Sequence, residues 1–153
     1  MFEKFPLVLF EKKHMFCYYN EGRIKFYGVA GCFYCAKLVD VKKLNWYGRC
    51  IGHRTAVCKC ATDSVIDDGG TGTIDLELLK AMKEYYFSSY DAPGHRELTE
   101  SEKAEVSAWF TEVRSKYKEE HAAWKKLTKG LPWRERKALE SQRRSEREKK
   151  PTV

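Results

Sequence analysis

Two cysteine pairs constrain this chain more than any other feature. Cys32 and Cys35 bracket Phe33-Tyr34, and Cys58 and Cys60 bracket the single residue Lys59. Zinc takes four donors in a tetrahedron, with sulfur at about 2.3 Å, and two thiolates on one tight turn supply half of such a set. Cys32-x-x-Cys35 has the regular spacing of a first half, with Gly31 before it to allow a tight knuckle. A redox role for that pair would need a strand-to-helix context that is not visible around it. The second half is compressed. On an extended strand, Cys58 and Cys60 would face the same side about 6.5–7 Å apart at their Cα atoms, so they can still converge on one ion. Cys50 and His53 lie in between with regular spacing and are alternative fourth ligands. The sequence is short of the donors a second ion would need. The expectation is one structural zinc held by Cys32, Cys35, Cys58 and Cys60, with His53 or Cys50 in reserve. Cys17, set among aromatic residues, reads as a small buried apolar side chain.

The remaining text sets fold class and organisation. "LVLF" and "RIKFYGVAG" read as strands, and Asn20-Glu21-Gly22 reads as the turn of a hairpin joining "MFCYY" to "RIKFY". "AKLVDVKKLNW" is a strand or short helix. "DDGGTGT", Asp67 to Thr73, is a glycine-rich loop with neither the lysine nor the strand-to-helix setting of a phosphate cradle. Its acidic group with Asp63 could take magnesium, but a solvated loop is the simpler reading. Ile74–Phe87 has helical spacing with Asp75 as N-cap, and predicts a helix covering the metal-bearing sheet. Ser88–Leu98, with Pro93-Gly94, is a linker. Thr99 and Glu102 form a capping box that opens a helix of about 30 residues. Its apolar stripe holds Val106, Trp109, Phe110, Val113, Tyr117, Trp124 and Leu127. Gly130 ends it, and Pro132 suits the start of the next helix. The segment from Trp133 onward lacks an apolar face, which predicts either disorder or folding on a partner. The fold class is α+β. Residues 1–92 are a small zinc-ribbon-like β domain with a covering helix, and residues 93–153 are a helical extension with a basic tail.

The text around the cysteines resembles a family of small bacterial cytoplasmic zinc-ribbon-like proteins. The matching residues are Cys32, Cys35, Trp46, Gly52, Thr55, Ala56, Cys58 and the run Asp63-Ser64-Val65-Ile66, followed by "LLKAMKEYYF", so the likeness covers about residues 31–87. It implies a metal-holding fold and no particular chemistry. The sequence departs from the family pattern where Lys59 stands for a Pro-x pair, where Ala61-Thr62 replace Gly-Ile, and where an insertion brings Cys50. These departures leave the fourth ligand open.

Charge then points to function. The net charge is +7, and residues 125–153 alone carry 11 basic and 4 acidic residues. A basic tail of this kind meets an anionic partner, most often nucleic acid, or simply solubilises. Lys129, Arg134, Arg136, Lys137, Arg143, Arg144 and Arg147 are the candidate nucleic-acid contacts, and Trp109, Trp124 and Trp133 the candidate partner contacts. No apolar run is long enough to span a membrane, and Phe5–Phe10 is too short for a secretory leader, so a cytoplasmic setting with reduced thiols is expected. A zinc deaminase would need a His-x-Glu, which "GHRT" does not supply. A zinc-stapled nuclease with His53 as catalytic base is a minor reading. His14, His95 and His121 read as isolated packing or surface residues. The leading expectation is a non-catalytic zinc-binding adaptor for nucleic acid or a nucleoprotein machine, such as a ribosome or RNA polymerase. The alternative is a phage- or mobile-element-type inhibitor that docks on a host protein through its long aromatic helix.

Overall fold

The structure is a computed structural model that describes residues 4–71, 73–88 and 95–148. Pro93 and Gly94 of the expected linker lie outside the described residues. Along the chain run α1 (Leu7–His14), α2 (Glu21–Tyr27), β1 (Ala30–Cys32), β2 (Lys37–Val39), β3 (Asn45–Tyr47), β4 (Thr55–Val57), β5 (Val65–Asp67), α3 (Leu76–Phe87), α4 (Glu100–Thr128) and α5 (Trp133–Glu148). The fold is mixed α+β. A three-stranded antiparallel sheet has the order β2-β1-β5, and β3 pairs with β4 in a second, two-stranded sheet. No helix among the described residues is long and apolar enough to cross a membrane.

The N-terminal segment departs from its expected hairpin. "LVLF" opens α1 behind Pro6, which caps it, and Met15–Cys17 continues as a 3-10 turn. "RIKFY" belongs to α2, closed by Gly28 in the left-handed conformation (φ 78°), and only Ala30-Gly31 of the expected strand lies in β1. Asn20-Glu21 opens this helix rather than turning a hairpin. The reason is tertiary. Buried Asn20 donates through Nδ2 to the carbonyls of Phe16 and Val65 and accepts from the Ala56 N–H, so it stitches three segments together. Buried Glu21 accepts from Arg54 Nε and Nη2 at 2.9 and 2.7 Å, from Lys25 Nζ at 2.6 Å, and from the N–H groups of Gly52 and Arg54. A seven-residue helix carries too few turns for its period to stand out from alternation.

Two cores result. Phe10, Phe16, Phe33, Ile66, Leu79 and Met82 fill the first, between α1, α3 and the sheet, and Trp109, Phe110 and Val113 of α4 pack against it. Ile24, Ala30, Leu44, Ala56 and Val65 fill the second together with Cys32 and Cys58. As expected, Cys17 is buried and burial pushes its thiol up. Helix α3 begins at Asp75, whose carboxylate accepts from the N–H groups of Glu77 and Leu78, and it crosses the sheet at Gly31. A Cβ there would come within 2.9 Å of Leu79 Cδ1, so Gly31 serves the close approach of α3 rather than a knuckle.

The capping box of Thr99 and Glu102 is present, and α4 runs 29 residues, about 44 Å at the usual rise. Where the sequence predicts a tail that is disordered or waiting for a partner, α5 folds back on its own chain. Arg144 donates to the carbonyl of Lys25, Arg143 to that of Phe26 and Arg147 to that of Tyr27. These are end carbonyls of α2, which lack intrahelical partners. The Arg143 guanidinium lies 3.8 Å from the Phe26 ring centroid and 4.4 Å from that of Trp124. The acidic loop is also not solvated as expected. Asp67 and Asp68 are 0% and 1% exposed, and each meets an arginine: Arg23 at 2.7 Å for Asp67, Arg147 at 2.6 Å for Asp68. Burial pushes the Asp67 carboxyl up, against the pull of Arg23.

Candidate metal centre

Each cysteine pair sits on a turn that its sheet positions. Cys32 ends β1, opposite Lys37 of β2, and the turn between them carries Cys35. Ala36 follows with φ 55°, the left-handed conformation that reverses the chain. The Cys35 N–H donates to Cys32 Sγ at 3.4 Å. Cys58 and Cys60 do not lie on an extended strand. Cys58 leaves β4, the Ala61 N–H donates to the Cys58 carbonyl, and the Cys58 N–H donates to the Thr62 carbonyl. Ala61, with φ 66°, plays the part of Ala36. The compressed spacing therefore works through a turn rather than through an extended strand.

The four Sγ atoms lie within 4.8 Å of one another. Cys32 and Cys60 are 3.8 Å apart, and so are Cys35 and Cys58. A tetrahedron with sulfur at about 2.3 Å from its centre has edges of about 3.8 Å. The cluster is geometrically suited to a metal ion, and zinc fits its donor set. Among the described residues this group holds neither Cys50 nor His53. Both are exposed on the β3–β4 loop. A four-sulfur set leaves no position for water and is of the structural type, unlike a His/Asp catalytic site.

The thiols differ in how readily they shed their protons. Burial pushes the Cys32 thiol up to about 12, and burial also raises Cys35. Burial opposes ionisation of Cys60 too, but hydrogen bonds from Thr62 and the neighbouring thiols outweigh it and bring Cys60 down to about 7. Thr62 Oγ1 lies 3.1 Å from Cys60 Sγ and 3.9 Å from Cys32 Sγ. Thr62 and the two left-handed alanines escaped the sequence reading. Their signal was position: Ala36 and Ala61 each follow a cysteine directly, and Thr62 follows Ala61.

The other candidate residues are dispersed. Trp109 packs on Phe16 with ring centroids 4.9 Å apart, and Trp124 lies under Arg143. Trp133 stands 64% exposed at the corner between α4 and α5. Arg143, Arg144 and Arg147 face α2, while Lys129, Arg134, Arg136 and Lys137 are exposed.

No family model matches the chain, and neither a curated protein nor a solved structure does. What the structure carries of the zinc-ribbon likeness is the four-cysteine cluster within a small β-rich region.

Proposed function

We propose that the protein is a non-catalytic adaptor, built around one zinc held by Cys32, Cys35, Cys58 and Cys60, that binds nucleic acid or a nucleoprotein assembly through its basic C-terminal helices. Residues 1–92 supply the metal-stabilised platform and residues 93–153 the binding. The observation that carries this reading is the α4–α5 corner. Between Lys125 and Lys137 six basic residues and one acidic residue are all exposed, beside exposed Trp133. Clustered cations neutralise phosphates and release counterions, and an aromatic ring among them offers a face for a base. Arg143, Arg144 and Arg147 spend their hydrogen bonds on α2, so the binding face narrows to Lys129, Arg134, Arg136 and Lys137.

Replacing these four by glutamine tests the reading. The variant is expected to keep its fold and its zinc while losing at least tenfold in affinity for nucleic acid at moderate salt. Unchanged affinity would sink it. The protein-docking alternative now rests on Trp133, since the rings of Trp109 and Trp124 are engaged within the chain. It expects Trp133→Ala to abolish capture of a protein partner with little salt dependence.

A further inference from the structure

Far from the basic corner lies a second feature that the adaptor reading leaves unused. A cleft of about 950 Å³ opens between the 3-10 turn after α1, the β3–β4 loop and the end of α3. Its rim carries three tyrosines in the open. Tyr47 is 78% exposed, Tyr19 is 75% exposed, and Tyr18 is also exposed. Tyr19 is held at φ 48°, a left-handed conformation that a bulky side chain adopts only under constraint. Its N–H is fixed by Thr55 Oγ1. The opposite wall is equally constrained: buried Glu21 pins the loop at Gly52 and Arg54, beside exposed Arg49 and His53. A residue in a strained conformation and a loop pinned by a buried carboxylate, both beside exposed aromatic rings, are the marks of a preorganised surface.

The cleft does not end at Tyr19. A second cavity of about 430 Å³ shares Tyr18, Tyr19 and His53 with it and reaches Arg114, Tyr117 and Lys118 of α4. At about 100° per residue, Arg114, Lys118 and Lys125 fall within a sector of about 40° on α4, and Lys129 follows just past its end. The three exposed cations of this stripe span about 16 Å. Glu105, Glu112, Glu119 and Glu120 fall outside the sector by about 80° or more. The stripe therefore joins the tyrosine cleft to the basic corner as one path, with rings at one end and cations along the rest.

We infer that this path is a binding track for single-stranded nucleic acid: unpaired bases stack on Tyr19 and Tyr47 in the cleft, and the backbone follows Arg114 and Lys118 to the corner. The inference rests on the nucleic-acid reading above and adds strandedness and a location. Aromatic faces are available only to bases freed from a duplex, and a cation stripe matches the sugar-phosphate backbone. Exposed Asp63 on the cleft wall offers an acceptor to a base amino group.

The test measures affinity of the full chain for fluorescein-labelled oligo(rA) and oligo(dA) of about twelve nucleotides, and for a duplex of equal length. Single strands are expected to bind at least tenfold tighter than duplex, and tight binding of either sugar supports the track. Tyr19→Gly is the decisive variant. It removes the ring and relieves the backbone, so the protein should melt no lower than wild type while losing at least fivefold in single-strand affinity. Tyr47→Ala should lose a similar factor. Arg114→Gln with Lys118→Gln should lower the slope of log affinity against log salt by about 1.4. Equal affinity for duplex, or full single-strand affinity in Tyr19→Gly, overturns the track. If the corner substitutions abolish binding and the tyrosine and α4 substitutions do not, the track fails and the adaptor reading stands. If wild type binds none of the probes, both fail.

Discussion

At the residue scale, the backbone conformations beside the cysteines carry a consequence for stability. Ala36 and Ala61 hold left-handed φ values of 55° and 66°, where an L-residue costs about 1–2 kcal/mol relative to the right-handed region. Glycine would remove that cost but lose more entropy on folding, by about 0.5–1 kcal/mol. Ala61→Gly is therefore expected to be neutral or stabilising by up to about 1 kcal/mol, read by urea denaturation of the zinc-loaded protein. Glu21 yields a pH dependence. Hydrogen bonds from the Arg54 side chain hold its carboxyl well below the ordinary 4.5, despite its burial. A carboxylate depressed on folding adds stability that is fully present above its unfolded value and is lost as pH falls through its folded one. Wild type should thus lose stability progressively below about pH 4.5, and Glu21→Gln should flatten that acid limb. At neutral pH the same substitution should cost about 3 kcal/mol, because it leaves Arg54 without its buried charge partner. The cysteines were readable because metal ligation demands specific atoms at short range. Asn20 and Glu21 were misread because nothing local marks a polar side chain whose partners are Val65 and Arg54.

At the scale of elements, two contacts fix how helices seat. Leu79 Cδ1 and Ile74 crowd Gly31, so Gly31→Ala must push α3 away from β1. We expect a loss of about 1–3 kcal/mol with the helix content of α3 retained, measured by thermal unfolding and circular dichroism. Helix α5 is held on α2 by Arg143, Arg144 and Arg147, and Arg147 also meets Asp68. Arg147→Met removes the charged hydrogen bonds to the Tyr27 carbonyl and the Asp68 carboxylate, each worth about 1.5–3 kcal/mol, and should speed amide exchange along α5 before any change in the sheet. Long elements were legible: α3 and α4 have caps and enough turns to declare their period. The docking of α5 was not, because its contacts are guanidinium to backbone carbonyl and ring, and an apolar stripe was the signal sought. Helices α1 and α2 were not legible because eight and seven residues are too few to separate a helical period from alternation.

Across the whole molecule, the cysteine cluster and the second core are one structure. Cys32 and Cys58 are buried with Ile24, Ala56 and Val65, so metal removal opens a core as well as a turn. Chelation at neutral pH is expected to unfold the β region cooperatively. Zinc content should fall as pH drops, since bound thiolates compete with protons. Cys60→Ser should lose the ion, whereas Cys50→Ser and His53→Ala should keep it, measured by metal analysis after dialysis. The sequence made the cysteine cluster and the basic corner legible because both are compositional. It could not show that β1 and β5 are neighbours, nor that Tyr19 and Arg114 line one cavity, because those juxtapositions exist only after the chain has closed.

Asp67 and Asp68 give that closure an order in time. Arg23 is synthesised before Asp67, so its carboxylate can be paired as soon as the loop forms. Asp68 precedes Arg147 by 79 residues. At about 5–20 residues per second, some 4–16 s of synthesis separate the two. During that interval the loop lacks its second arginine, and the last carbonyls of α2 lack their guanidinium donors. Docking of α5 on Asp68 and on the end of α2 therefore follows synthesis of the β region.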